Sequence, residues 1–288
     1  MTWTPIVRKA FTIPKLKIHI DELDFTHWKP SVIVWHNTAL PTINQWEKSY
    51  QEDLKKGLEP GITRINSLEN FFKNNQGWPS APHWFVYKDK VWAFTPSNKK
   101  GTGSPSWNGN GIHIEMIADF SKEDDDSGTG LLIKNNTIAL TAMLCDKIGL
   151  KPESGEVISK KPFRTTGTIF LHKQDPRTTH DCPGKDIAVD KEQMVDSVAE
   201  YMGHGGEHVG DSELEPAKQR TGIVNVPTND TLNLRETSSA SSKILIKLKP
   251  KEPITILNEA MNGNTKWFYI DWKGVDKGWV AARYIKEI

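Results

Sequence analysis

The chain reads as an α/β domain, a mixed sheet flanked by helices, followed by a small all-β barrel. Three observations lead there. Over the first 202 residues, short apolar runs alternate with longer stretches of helical period. Gly203–Arg220, GHGGEHVGDSELEPAKQR, then breaks both patterns with glycines and mixed charge. Beyond it only short, closely spaced runs of β-branched and aromatic residues remain. The expected organisation is a domain over 1–202, a flexible linker over 203–220 and a barrel over 221–288.

Taken in order, SVIVWH at 31–36 is a short apolar run suited to a strand buried on both faces. TINQWEKSYQEDLKKG at 42–57 predicts a helix closed by Gly57. HWFVYKDKVWAF at 83–94 predicts a hairpin turning at Lys88-Asp89. GIHIEMI at 111–117 predicts a strand with His113 and Glu115 on one face and Ile112, Ile114 and Met116 on the other. Leu131–Leu150 predicts a helix ending at Gly149, with Cys145 on its apolar face as core packing. FRTTGTIFLH at 163–172 predicts a strand that ends at His172, and Asp190–Met202 a helix with Asp190 as its N-cap. After the linker come LNLRE, KILIKL, PITILN, WFYIDW and GWVAARYI, separated by Ser, Asn, Gly and Pro.

Composition narrows the function. A formal charge of +1 over 288 residues, with no basic block, removes the electrostatic case for nucleic acid. No stretch approaches the ~20 apolar residues of a membrane-spanning helix. The first 25 residues hold no apolar run of signal-peptide length and are interrupted by Pro5 and Pro14. Synthesis in the cytoplasm without a signal peptide, and no membrane insertion, are therefore expected. Two cysteines, Cys145 and Cys182, are too few for a disulfide framework, so a thiol or metal role fits better. Eleven tryptophans suit a core or a surface that meets sugars and peptides equally well. The acidic run Glu123–Asp126 reads as a solvated loop, with a calcium site as the alternative.

LHKQDPRTTHDCPGK at 171–185 is the densest cluster of chemistry in the chain. A catalytic zinc takes three protein ligands from His, Cys and carboxylate and leaves one position open. His172 stands at a strand end, and Cys182 returns to the same point through a Pro-containing loop. His36, ending SVIVWH, is placed to be the third. A strand-end histidine with a purely structural role is the competing reading, and it is the three ligand types at three suitable places that favour the metal. A metal site that activates water also needs a proton acceptor near it. Glu115 is the candidate, since an acid on an apolar strand is costly unless exposed or paired. A solvent-facing Glu115 on an edge strand is its alternative.

WHNT at 35–38, PHWFVY at 82–87, SWNGNGIHIEM at 106–116 and HKQDPRTTHDCPGK at 172–185 resemble the zinc-dependent N-acetylmuramoyl-L-alanine amidases, with the phage lysozyme-type amidases and the peptidoglycan-recognition proteins. The resemblance covers roughly residues 28–202. It implies the amidase fold, Zn2+ as cofactor, and His36, His172 and Cys182 as its ligands. It implies Glu115 as the catalytic acid and base, acting with zinc-activated water. It places His180 where relatives carry a basic group that stabilises the tetrahedral intermediate; a loop histidine merely beside the metal is the other reading. His83, Trp107 and Asn108 are candidate substrate contacts, with packing as the alternative for Trp107. Two departures stand out: Pro82 and Gly103 replace a Tyr and a His of some relatives. His113 is unusual where a small residue is common.

TLNLRETSSASSKILIKLKPKEPITIL, with WFYIDWKGVDKGWVAARYI, resembles a bacterial SH3-type domain, over most of 222–287. That implies binding to cell-wall peptide or glycan, with Trp267, Trp272 and Tyr284 as candidate contacts and Trp279 as packing. The expected whole is a hydrolase that cuts the amide between N-acetylmuramic acid and L-alanine, held on peptidoglycan by its barrel. A non-catalytic peptidoglycan binder and a zinc hydrolase of another wall amide are the rivals. Action on the wall or in the periplasm then requires release through a lysis pore, as for an endolysin, or injection as an antibacterial toxin effector. A delivery apparatus or an immunity protein would be a further partner.

Overall fold

Why the first unit folds as it does is clearest in the computed structural model, which describes residues 2–203, 220–235, 240, 242–262, 265–272 and 276–288. The expected linker, 203–220, lies almost wholly outside the described residues. The chain divides into two compact units, Met1–Gly206 and Glu207–Ile288.

The first unit opens with a short strand, β1 (Lys9–Phe11), and a helix, α1 (Ile13–Asp21). Pro14 sits in that helix's first turn, where a missing N–H disturbs no intrahelical bond. Then come β2 (Val32–Asn37), α2 (Ile43–Lys55) and α3 (Ile62–Asn70), which runs into one π turn at Phe71–Asn75. The hairpin β3 (Trp84–Val86) and β4 (Val91–Ala93) precedes β5 (Gly111–Met116) and the long α4 (Gly128–Ile148). A second hairpin, β6 (Glu156–Lys160) and β7 (Phe163–Thr166), leads to β8 (Ile169–Leu171) and α5 (Lys185–Gly203). α2 starts in a capping box: Gln45 N–H donates to Thr42 Oγ1 at 3.3 Å, and Thr42 N–H donates back to Gln45 Oε1 at 3.1 Å.

The sheet order is β1-β4-β3-β5-β2-β8. β3, β5, β2 and β8 run parallel, β4 runs antiparallel to β3, and β1 pairs antiparallel with β4. Alternation then sorts the side chains. Ile33, Trp35, Ile112, Ile114, Met116, Ile169 and Leu171 join the main core with Leu140, Ala142 and Leu144 of α4. Trp35 Nε1–H donates to Thr141 Oγ1 at 3.0 Å, which satisfies a polar group inside that core. The opposite face is divided. Val32, Val34 and Phe170 pack with Trp107 at one end. By the same alternation His36, His113 and Glu115 lie toward the carboxyl ends.

Three expectations are corrected. The run 163–172 is two strands rather than one: β7 pairs with β6 in a separate hairpin, the chain breaks at Gly167, and only β8 joins the main sheet. α5 starts at Lys185, directly after the Cys-Pro-Gly turn, so Asp190 lies inside it and caps nothing. Its carboxylate has another partner. Lys134 Nζ lies 3.0 Å from Asp125, 2.6 Å from Asp126 and 2.8 Å from Asp190. The acidic run is therefore solvated at Asp124 and Asp126 but tied into the fold at Asp125. A lysine ammonium fills the acidic cluster, and Asp125 is buried against it.

The second unit is all antiparallel β, in the order β11-β10-β14-β13-β12-β9-β15. Its strands are β9 (Thr221–Val224), β10 (Leu232–Arg235), β11 (Ile244–Leu248), β12 (Pro253–Asn262), β13 (Thr265–Trp272), β14 (Asp276–Ala281) and β15 (Ile285–Glu287). One face closes on its own core of Val224, Leu232, Leu234, Leu248, Ile254, Ile256, Phe268, Ile270 and Val280. A smaller cluster of Trp267, Trp279 and Ala281 forms beside it.

Candidate active site

Register assembles the site. β2 and β5 pair so that His36 lies opposite Glu115, and β2 and β8 so that Trp35 lies opposite Leu171. His172, one residue past the end of β8, therefore emerges next to His36, with ring centroids 4.6 Å apart. All of this occurs at the carboxyl ends of parallel strands, where open α/β sheets place their ligand sites.

Cys182 is brought back by a loop that is tied at several points. Lys173 N–H donates to Cys182 O at 2.7 Å, and Lys173 Nζ donates to Asp181 Oδ1 at 2.5 Å. Asp175, buried, accepts from Ser104 Oγ at 2.5 Å, Ser106 N at 2.8 Å, Ser106 Oγ at 2.5 Å and Arg177 N at 2.8 Å. Burial opposes the Asp175 charge, but these bonds outweigh it and hold the carboxyl below the usual carboxylate range. Gly184 follows with φ +105°, and a Cβ there would fall 2.6 Å from the Phe120 backbone, so the turn into α5 requires glycine. Cys182 Sγ ends beside β2, accepting the Asn37 N–H at 3.2 Å.

The result is a triad. Donor atoms of His36, His172 and Cys182 all lie within 4.8 Å of one another. His36 and Glu115 are buried, and Glu115 Oε1 lies 3.8 Å from His36 Nδ1. Burial drives the charge states. It holds His36 well below the ordinary histidine range, with the neighbouring histidines adding to the effect, and brings His172 down to about 4, with help from His180. It pushes the Glu115 carboxyl up to about 8. The Cys182 thiol rises well above its ordinary value through burial and then through Glu115, with the Asn37 N–H opposing.

These residues suit a metal. His172 Nε2 is buried with no hydrogen-bond partner among the described residues, an arrangement that costs free energy unless something binds it. Two neutral imidazoles and one thiol form a donor set matched to Zn2+. His36, His172, Cys182, Glu115 and His180 line a cleft of about 530 Å³. His180 is exposed at its mouth, with its ring 5.1 Å from His172. The opposite wall is aromatic: Phe71, Phe72, Trp78 and Phe85, from α3's π turn and the strands behind it. Phe72 stacks on Trp78 with centroids 5.2 Å apart, and Phe71 is 43% exposed. Sequence reading missed this wall, although FFKNNQGWP announces an aromatic cluster. It missed Asp175 as well, whose signal was an Asp-Pro inside the ligand loop.

Several expected contacts sit elsewhere. His83 is fully buried; its Nε2 is 3.0 Å from Lys99 O and its Nδ1 accepts the His113 N–H at 2.9 Å. With both nitrogens used inside the fold, it does not face the cleft. Trp107 is buried against Phe170, ring centroids 4.6 Å apart, so packing is its role. Asn108 turns inward, its Oδ1 accepting from Gly103 N and Ser104 N, both at 2.9 Å. It shapes the loop and lies off the cleft lining. Glu115 is on a central, buried strand, so its solvent-facing alternative falls.

In the second unit Tyr284 is exposed and Trp267 is buried, yet both line a cavity of about 330 Å³. Trp272 is half-buried and packs on the barrel core, away from that cavity. Trp279 is buried and packs with Trp267, its ring 5.2 Å from Tyr269.

The N-acetylmuramoyl-L-alanine amidase family profile matches residues 27–185, and the bacterial SH3 domain profile matches residues 230–286. No curated protein sequence matches the chain. Among solved structures, Staphylococcus aureus hydrolase AmiA aligns at 19% identity over 71% of this chain and 96% of its own, TM-score 0.41. The N-acetylmuramoyl-L-alanine amidase LysC of Clostridium intestinale aligns at 16% over 67% and 93%, TM-score 0.35. Drosophila PGRP-LB aligns at 13% over 64% and 82%, TM-score 0.39. The first profile spans more than half of the sequence and contains every residue of the cleft triad: the chain belongs to the N-acetylmuramoyl-L-alanine amidase family and carries a bacterial SH3 domain.

Proposed function

We propose that this protein hydrolyses the amide between the lactyl group of N-acetylmuramic acid and L-alanine in peptidoglycan, as a zinc enzyme. The observation that carries the proposal is the convergence of His36, His172 and Cys182 on one point with Glu115 in register beside His36. Those three residues would hold Zn2+, which supplies Lewis-acid polarisation of the carbonyl and makes water more acidic at neutral pH.

The chain's own residues do the remainder. Glu115 accepts a proton from the attacking water and returns it to the leaving amine of L-alanine. Burial raises its carboxyl in the metal-free protein, which strengthens its hold on the proton it takes. His180, at the mouth, is positioned to donate a hydrogen bond to the oxygen on which negative charge develops. The wall of Phe71, Phe72 and Trp78 offers apolar area for the aliphatic parts of the substrate and excludes water from one side. In the second unit, Trp267 and Tyr284 line the cavity best suited to hold wall polymer. Tethering there raises the effective substrate concentration at the cleft. The place of action on this reading is the cell wall, where the substrate is.

Mass spectrometry of purified peptidoglycan, incubated with the protein with and without a zinc chelator, tests the reading. Free stem peptides with new L-alanine amino termini, lost on chelation and restored by Zn2+, are expected. Intact sacculi that nevertheless retain the protein would mean a binder, and cleavage at another bond would reassign the substrate.

A further inference from the structure

Behind the site lies a second layer of histidine with no role in the reaction described above. His113 is fully buried on the same face of β5 as Glu115. Its Nδ1 is 3.1 Å from His36 Nε2. His36 Nε2 is therefore turned away from the cleft, and Nδ1, the nitrogen on the Glu115 side, is the one left to face it. A ring nitrogen can act as a ligand only through its lone pair, so in a neutral His36 the proton must sit on Nε2. Inside the core that N–H needs an acceptor. His113 Nδ1 is its hydrogen-bond partner among the described residues.

The surroundings hold His113 to this orientation. Its backbone N–H is anchored on His83 Nδ1 at 2.9 Å, which leaves the His83 proton on Nε2, donated to Lys99 O at 3.0 Å. The His83 ring stacks on His113 at 5.8 Å with planes 15° apart, and on Trp28 at 5.9 Å and 10°. Room for the two rings comes from two glycines. A Cβ at Gly103 would lie 2.8 Å from His113 Cγ and Nδ1, and one at Gly101 would lie 2.3 Å from His83 Cε1. Gly103 and His113 thus compete for one space, and this chain gives it to an imidazole aimed at His36. Accepting at Nδ1 puts the proton of a neutral His113 on Nε2, which is buried without a hydrogen-bond partner among the described residues, a cost that packing alone does not call for.

We infer that His113 is a positioning residue that accepts the His36 Nε2 proton, keeps His36 in the tautomer whose Nδ1 lone pair faces the cleft, and so tunes the affinity of the site for Zn2+. The inference rests on the zinc reading above for its consequence, but the hydrogen bond itself can be tested without metal.

Long-range 1H–15N NMR of histidine-labelled, metal-free wild type reads the tautomer directly. A proton on His36 Nε2 is expected; a proton on Nδ1 overturns the inference whether or not the protein binds zinc. Zn2+ affinity is then measured by competition with a chromophoric chelator for wild type, His113→Leu and His113→Asn. Loss of an outer partner of a ligand histidine typically costs 10–100-fold in metal affinity, and that is the loss expected for the Leu variant. Asn, whose Oδ1 can accept where Nδ1 did, recovers most of it. If Leu and Asn weaken binding equally, His113 is packing and no more. Wild type that binds no Zn2+ at all would sink the zinc reading, while the tautomer still decides the role of His113.

Discussion

Glu115 concentrates the residue-scale physics. It is a carboxyl on a central strand, and burial raises it to about 8. Between its ordinary value of 4.5 and about 8 the native protein keeps a proton that the unfolded chain has released. At this group the native state then binds more protons than the unfolded one, so the Glu115 contribution to stability falls as pH rises through that window. Below about 6.5 the buried His36, His83, His113 and His172, neutral in the fold and protonated in the unfolded chain, act in the opposite direction. Urea unfolding of metal-free protein should therefore show the decline between about 6.5 and 8, and Glu115→Gln should flatten it there. Equal slopes in both proteins would assign the decline to another group. On activity, Glu115→Gln should lower turnover by about 10²–10⁴-fold, the usual worth of a positioned acid–base group, with Zn2+ content unchanged. A variant that retains wild-type turnover would move the proton transfer elsewhere.

The loop between β8 and α5 carries the element-scale argument. It holds two of the three triad residues, and its shape depends on Asp175 more than on any apolar contact. That carboxylate ties the loop to Ser104 and Ser106 across the cleft base. Asp175→Ala removes four hydrogen bonds to a buried charge and leaves their donors without it, a cost of roughly 3 kcal/mol or more. Thermal melting should drop by about 6–12 °C for a unit of this size. Because the lost bonds anchor the loop bearing His172 and Cys182, Zn2+ affinity should weaken with it. A melt unchanged within a degree or so would show that the loop stands without Asp175. Lys134 plays the comparable part for α4 and α5, joining Asp125 and Asp126 of the preceding loop to Asp190 of α5.

Across the whole molecule the work is divided between two units, each with its own core. Cutting and holding are then separable by mutation. Tyr284, exposed on the second unit's cavity, offers area for contact without a structural burden. Tyr284→Ala should weaken co-sedimentation with purified sacculi by about tenfold or more, as loss of an aromatic anchor does. Turnover of a small soluble muropeptide should be unaffected. Equal loss on both substrates would place Tyr284 outside wall binding, and no loss on either would leave the cavity without a wall role.

Much of this was legible in local pattern. Four apolar residues, Val32 to Trp35, leading into His36 suited a buried strand, and alternation along GIHIEMI put His113 and Glu115 on one face before any fold was drawn. His172, Cys182 and the Pro-Gly turn marked the loop of the candidate metal site, because the family resemblance falls on residues close together in the chain. Neighbours brought together from distant segments left none. Nothing in SKEDDD says that Lys134 fills its charge, since the ammonium arrives one element later and Asp190 arrives from α5. Nothing in PHWFVY says that His83 is inside, because its acceptor and its stacking partners come from residues 16 to 55 positions away. Gly103 read alone was a missing side chain, and His113 read alone was an oddity. Only the packing of one loop on one strand shows that they are two halves of a single choice: volume is shared through space, and periodicity along the chain does not record it.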